Sequence, residues 1–163
     1  MRSSGEQRLK CFPAWLMNLS VTASEGTSVM PIEMQLIRIV ITETTDQQTI
    51  FLKERHGSRV LPMFIGQSEA LAIDYRVREA RNPRPLTHQL LGNVISELGG
   101  ELEHVVIHEL RDGVFYAKLF VRQHEQRIEI DSRPSDAVAL ALSAGVKIFV
   151  EERVLDEVCN TGG

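Results

Sequence analysis

The chain has 163 residues, 43% of them hydrophobic and 25% charged, with a formal net charge of -4. That is enough for one domain with a real core and too little for two ordinary ones, and no apolar run approaches the ~20 residues that span a bilayer. The acidic balance excludes sequence-independent coating of DNA, so contact with nucleic acid has to come from a local basic patch or a bound metal. Cys11 and Cys159 stand near the two termini with no CxxC pair, which excludes a cysteine-built zinc site, argues against a disulfide framework and fits a reducing cytoplasm.

Residues 1–33 show no sustained period and contain Pro13, Gly26 and scattered Ser and Thr, the composition of a mobile N-terminal extension. Arg2, Arg8 and Lys10 ahead of an apolar stretch mimic a signal peptide, but Pro13 and Asn18 interrupt that stretch and the cleavage pattern is poor, so a cytoplasmic location is expected. Met30 and Met34 stand where the regular pattern begins, and either is a candidate start of translation.

From Met34 apolar residues alternate or run in short β-branched stretches, "MQLIRIVITE", "QTIFLKE" and "RVLPMFIG", which predicts three successive strands. At Ser68 the period becomes helical, with Ala70, Ile73 and Val77 on one face, until Asn82-Pro83 and Arg84-Pro85 stop it. A second helix follows Thr87 as N-cap, with Leu90, Leu91, Val94, Ile95 and Leu98 on one face and Gly99-Gly100 at its end. Then the pattern returns: "LEHVVIHEL", "VFYAKLFVR" and "QRIEIDS" read as strands, Asp112-Gly113 as a tight hairpin turn, and "SDAVALALSAG" as a helix apolar nearly all round and therefore central. "VKIFVEERVLDEV" adds a strand and a helical turn. The expected fold is α+β: two βββα units, an internal duplication, in a largely antiparallel sheet packed on apolar helices. Ser68-Glu69-Ala70-Leu71-Ala72-Ile73 and Ser135-Asp136-Ala137-Val138-Ala139-Leu140, 67 residues apart, carry the repeat. The domain is expected over residues 34–158, with 159–163 as a tail.

The helix start at Asp131-Ser132-Arg133-Pro134-Ser135-Asp136 concentrates polar groups ahead of an apolar run. A structural reading has Ser135 as cap and Asp136 as a first-turn acid favoured by the macrodipole. It leaves Asp131 and Arg133 unexplained, and these with the helix-start N–H groups form a place to hold a phosphate. Glu69 occupies the place of Asp136 in the first unit. If the units pack about a pseudo-twofold axis, two carboxylates converge, as metal-assisted phosphodiester hydrolysis requires. Arg76, Arg78, Arg81 and Arg84 are either a solvated helix face or a local phosphate-binding surface, and His88 either a helix-start residue or a proton carrier. His104 and His108 fall on a strand, where spacing of four places them ~13 Å apart, too far to share a metal.

The segments "LPMFIGQSEALAI", "RPLTHQLL", "DGVFYAKL" and "IDSRPSDAVALALSAGVKIFV" together resemble the bifunctional nuclease domain family, which pairs IGxxEA, RPxTHDLL, DGxFYAxL and DARPSDAIALA elements in this order. The resemblance implies a compact α/β domain, nuclease activity on both RNA and DNA, and homo-oligomers. It carries Glu69, His88, Asp131, Arg133, Ser135 and Asp136 as site residues. Gln89 stands where the family shows Asp, which puts any His-Asp pairing at that motif in doubt, and Ser132 replaces Ala. The expected enzyme hydrolyses phosphodiester bonds with little base preference. Glu69, Asp131 and Asp136 are its candidate ligands for a divalent metal, Mg2+ or Mn2+; Arg133 neutralises the phosphate; Arg76, Arg78, Arg81, Arg84 and Ser135 bind substrate; and His88 moves a proton. The rival expectation is a non-catalytic oligomeric binding or regulatory module with the "RPSDA" segment as a structural keystone. No segment within residues 1–29 supplies a strand or an apolar helix face, so their deletion should leave the melting temperature within a few degrees. A large drop in calorimetry would show that they pack on the domain.

Overall fold

The structure, a computed structural model, describes residues 30–42, 46–79 and 83–161, the side chains of 160 and 161 excepted. The expectations for residues 1–29, including Cys11, and for Arg81 and Asn82 lie outside these described residues. Strands β1 (Ile32–Val40), β2 (Gln47–Glu54) and β3 (Val60–Gly66) lead into helix α1 (Gln67–Val77), and α2 (Thr87–Glu97) follows. Strands β4 (Gly100–Arg111), β5 (Val114–Gln123) and β6 (Gln126–Ser132) lead into α3 (Pro134–Ala144), before β7 (Lys147–Val150) and α4 (Glu152–Thr161) close the chain.

The fold is α+β, as the patterning predicts. The strands form one sheet in the order β3-β2-β1-β7-β4-β5-β6, in which only β4 and β7 pair in parallel. Both runs have the order βββα, and their corresponding elements begin 66–68 residues apart, β1 with β4 at 68, β2 with β5 and α1 with α3 at 67, and β3 with β6 at 66; similar order and spacing do not by themselves establish a duplication. Each run forms its own antiparallel meander, and β7 joins them along the middle of the sheet. The Asp112-Gly113 turn has the form its dipeptide predicts, with φ of 52° and 77° and Arg111 paired to Val114. Positive φ at both central residues gives the turn a twist that matches the strands it joins.

Helix α3 is the centre of the core. Ala137, Val138, Ala139, Leu140 and Ala141 are all buried, and the helix packs on α1, α2, β4 and β5. Its alanines let neighbours approach closely, Pro134 occupies the first turn where no N–H is missed, and Gly145 ends it at φ 72°. Helix α1 buries Ala70 and Ile73 as expected, but Val77 near its end is exposed. Helix α2 departs further from expectation. None of its residues is buried; Ile95 packs partly on the core while Leu90, Leu91, Val94 and Leu98 face outward. Its periodicity marks an apolar face without saying what covers it.

Two substitutions in the helix layer should move stability in opposite directions. Leu140→Ala empties a side chain that is 1% exposed and should cost about 2–5 kcal/mol. Gly92→Ala in α2 should stabilise by about 0.4–1 kcal/mol, because its new Cβ would meet Leu140 Cδ1 at an ordinary 3.7 Å while the unfolded chain loses freedom. Urea unfolding of both variants reads the two shifts, and a destabilised Gly92→Ala would show that α2 and α3 sit closer than described.

Candidate active site

Three helix starts converge on one cleft. Each helix has 11 residues and begins from an extended residue: Gly66 before α1, Leu86 before α2 and Arg133 before α3. The helices therefore start one residue ahead of the expected Ser68 and Ser135, and Thr87 is the first helical residue rather than the cap. No side chain caps α1 or α3, because the residues before them cannot accept a hydrogen bond: Gly66 has no side chain and Arg133 is donor-only. The third residue of each helix is then Glu69, Gln89 and Asp136, and the second of α2 is His88. The cleft, of about 440 Å3, is lined by Glu69 and Tyr75 of α1, Thr87 and His88 of α2, Arg133 just before α3 and Asp136 in its first turn.

One chain of polar contacts crosses this cleft. His88 Nε2 lies 3.1 Å from Asp136 Oδ1. Arg133 donates from Nε to Asp136 Oδ2 at 2.8 Å and from Nη2 to Asp136 Oδ1 at 3.1 Å. The same Nη2 reaches Glu69 Oε1 at 2.7 Å, joining α1 to α3 across 64 positions of sequence. The Glu69 and His88 side chains are only 11% and 13% exposed, whereas that of Arg133 is 69% exposed. The cation is thus held by half-buried groups and presented to solvent. Among the described residues nothing accepts from Arg133 Nη1, which leaves that end of the guanidinium available. Gly66 makes room for the arrangement: a Cβ there would stand 2.5 Å from Glu69 Oε2.

The electrostatics favour the charged forms of Asp136 and Arg133. Burial pushes the Asp136 carboxyl up, but hydrogen bonds from Arg133 and His88 outweigh it and hold the group below its ordinary value. The hydrogen bond to Asp136, with its charge and the contact to Glu69, pushes the Arg133 pKa up. Asp136 is therefore ionised at neutral pH and can only accept, so His88 donates to it from Nε2, and in a neutral ring the lone pair then falls on Nδ1. A carboxylate that accepts from one nitrogen of a neutral imidazole leaves the other able to act as general base, here Nδ1, the reverse of the Ser-His-Asp arrangement, in which the carboxylate meets Nδ1.

Of the sequence candidates, Glu69, His88, Arg133 and Asp136 meet here. Asp131 does not: it is an exposed residue of β6, opposite Lys118 of β5, and bonds to none of the four. Ser135, in the first turn of α3, lines a different hollow. Within the basic run, Arg76 donates from Nε to the Leu142 carbonyl near the end of α3 at 2.9 Å, Arg78 pairs with Asp74, and Arg84 is exposed two residues before the cleft-lining Leu86. His104 and His108 both stand on β4; His104 stacks on Phe120 with ring centroids 4.5 Å apart, and burial lowers its pKa.

The partner of His88 is Asp136, brought from 48 positions away, and not residue 89. Gln89 Oε1 instead accepts from the Leu86 N–H at 2.9 Å, a helix-start contact. Sequence reasoning missed Tyr75 and Thr87, although Ser68, Leu71, Ala72 and Tyr75 recur at the spacing of a helix face. Among the described residues no three of His, Cys, Asp and Glu are placed to hold one metal ion. Arg133 stands between the two carboxylates of the cluster, so the donor set does not fit a divalent ion as arranged.

Comparison with known proteins agrees with the motifs. A protein of Mycobacterium tuberculosis described as uncharacterized is 43% identical over 123 residues, 76% of this chain and 73% of that one. Bifunctional nuclease 2 of Oryza sativa subsp. japonica is 30% identical over 114 residues, 68% of this chain and 35% of the rice protein. Bifunctional nuclease 1 of Oryza sativa subsp. indica is 25% identical over 118 residues, 70% and 36% respectively. The chain spans about a third of the length of these rice proteins. No described helix is long and apolar enough to cross a membrane. The model of the bifunctional nuclease domain matches residues 50–161, from within β2 to the end of α4, and the chain belongs to the bifunctional nuclease domain family.

Proposed function

We propose that this protein is a nuclease that hydrolyses phosphodiester bonds in RNA and DNA with little base preference, and that the Asp136–His88 pair beside Arg133 carries the reaction. Its support is the contact between an ionised Asp136 and His88 Nε2 in a cleft bordered by an exposed guanidinium, and the base of the proposal is Nδ1 of the neutral ring. A phosphodiester enters as an anion. Arg133 Nη1 and the N–H groups at three converging helix starts favour it, which supplies locally the attraction that the net charge of -4 denies.

His88 Nδ1 takes a proton from water as that water attacks phosphorus. The bond from phosphorus to the leaving ester oxygen breaks on the opposite side, that oxygen takes its proton from solvent, and Nδ1 afterwards releases its proton to solvent. Asp136 stabilises the imidazolium that forms between the two transfers, and Arg133 stabilises the charge gathering on the phosphorus oxygens. Glu69 holds Arg133 in place and is a positioning residue. Because the nucleophile is water, no 2′-hydroxyl is needed, and one site serves both RNA and DNA. No step is routed through a metal ion.

A homo-oligomer belongs to the same proposal. Leu90 of α2 and Leu98 at its C-terminal end are 52% and 69% exposed, and with Leu91 and Val94 they make an apolar face of the kind that marks protein interfaces. That face is also what favours the second reading, an oligomeric binding or regulatory module in which the four polar side chains only lock the helix starts together.

Variants separate the two readings. Asp136→Asn should lower turnover of RNA and single-stranded DNA together by about 10^2- to 10^4-fold, and Arg133→Ala by about 10^2- to 10^3-fold, in protein freed of host nucleases. Both should remain folded, losing about 1–3 kcal/mol. If both cleave at the wild-type rate while melting far lower, the cluster is a keystone and not a catalytic centre. Stability should also follow pH in a defined sense. The depressed Asp136 pKa stabilises the fold fully above the unfolded value of about 3.9, and this is lost as pH falls through the folded value. The gap in unfolding free energy between wild type and Asp136→Asn should therefore be flat near neutrality and narrow below about pH 4.

A further inference from the structure

Arg133 borders a second hollow. This one, of about 280 Å3, is lined by Met63 and Phe64 of β3, Val114 and Phe115 just beyond the β4–β5 turn, and Arg133 with Ser135. Side chains of β3 alternate between core and surface, so Leu61, Met63 and Ile65 are buried while Phe64 is 76% exposed. Val114 beside it is 54% exposed. An exposed aromatic ring forgoes the stabilisation of burial, and here the forgone contact lies next to the cation that borders the cleft.

We propose that this hollow is a base-stacking subsite: one nucleobase of a single-stranded polynucleotide lies on the Phe64 ring while the adjoining phosphate rests on Arg133. The inference builds on the nuclease reading and adds the substrate class. Three observations carry it. Apart from Arg133 and Ser135 the lining is apolar and includes no carboxylate, which suits a flat, uncharged ring system; the nearest carboxylates, Asp136 and Glu69, are bonded to Arg133 and line the other cleft. The volume falls just below the roughly 300–1,000 Å3 of sites that enclose whole small molecules, the size for one ring system and not for a base pair. Because Arg133 lines both hollows, a phosphate bound to it sets a neighbouring nucleotide against Phe64 without any movement of the chain. Stacking reads no base edge, since every base has a π-face, so such a subsite gives little base preference. A duplex keeps its bases paired and stacked on each other, so the subsite selects single strands.

The test measures binding of the full chain at fixed salt by fluorescence anisotropy. The probes are a labelled oligothymidylate with non-hydrolysable linkages, the same strand in a duplex, and an abasic strand with equal phosphates. Wild type should prefer the oligothymidylate. Phe64→Ala should weaken that binding about 5- to 150-fold, the equivalent of roughly 1–3 kcal/mol for one stacked base, and leave the abasic strand and the duplex unchanged. Phe64→Trp, in a Trp15→Phe background, should bind like wild type and show indole quenching on adding the strand. Equal binding of the oligothymidylate by Phe64→Ala and wild type, or equal binding of base-bearing and abasic strands by wild type, overturns the subsite. So does a Phe64→Ala protein that sediments as a smaller assembly with strand binding intact, which would assign the ring to contact with a second copy. A wild type that neither binds nor cleaves any strand fails the nuclease reading itself, whereas one that cleaves single strands equally well with or without Phe64 fails only the subsite.

Discussion

The constraint on which the site depends is a guanidinium held between two carboxylates at the start of a buried helix. Helix α3 must lie in the core because Ala137 to Ala141 leave it no polar face there, yet Arg133 stands immediately before it and Asp136 in its first turn. Ionised groups at the edge of a core are costly unless paired and hydrogen-bonded. Arg133, the residue just before α3, meets that requirement by bonding Asp136 in the first turn and Glu69 on α1, and His88 of α2 completes the coordination of Asp136. One set of interactions thereby fixes three helix starts relative to one another. The same set creates the chemistry, because an ionised Asp136 selects the tautomer of His88 and a tethered Arg133 keeps one end of its fork open to solvent.

Much of this fold is legible in the sequence, and the exceptions have physical causes. Alternation and turn chemistry read the strands well, since Asp112-Gly113 admits few backbone conformations and β-branched runs few roles. The constant apolarity of α3 reads its central place. The boundaries read less well: Ser68 and Ser135 have the chemistry of caps, but Pro134 pre-sets its own φ for a helix and moves the start of α3 one residue earlier. The outward face of α2 was not legible either, because helical period reports that a face is apolar and not what meets it.

The site divides in the same way. Local motifs named Glu69, His88, Arg133 and Asp136, but not their pairing, which spans 48 positions from His88 to Asp136 and 64 from Glu69 to Arg133. Asp131 was grouped with them by proximity along the chain, yet it belongs to β6 while the others belong to helix starts. Arg76 reads from sequence as part of a solvated helix face or a phosphate-binding surface, and it donates to Leu142 O, a carbonyl with no sequence signal. Gln89 looked like a lost carboxylate beside His88. Its side chain bonds the backbone N–H of Leu86, and the carboxylate that His88 uses comes from α3.

The central claim is that His88 and Asp136 act as one unit. A double-mutant cycle on turnover of a single-stranded oligonucleotide tests it directly, with unfolding of each variant measured alongside. If the pair acts together, the doubly substituted His88→Ala, Asp136→Asn protein should be no slower, within a factor of a few, than the slower single variant, because the second change removes a group whose partner is already gone. Losses that multiply, so that the double variant falls by the product of the two single effects, would contradict a shared catalytic role.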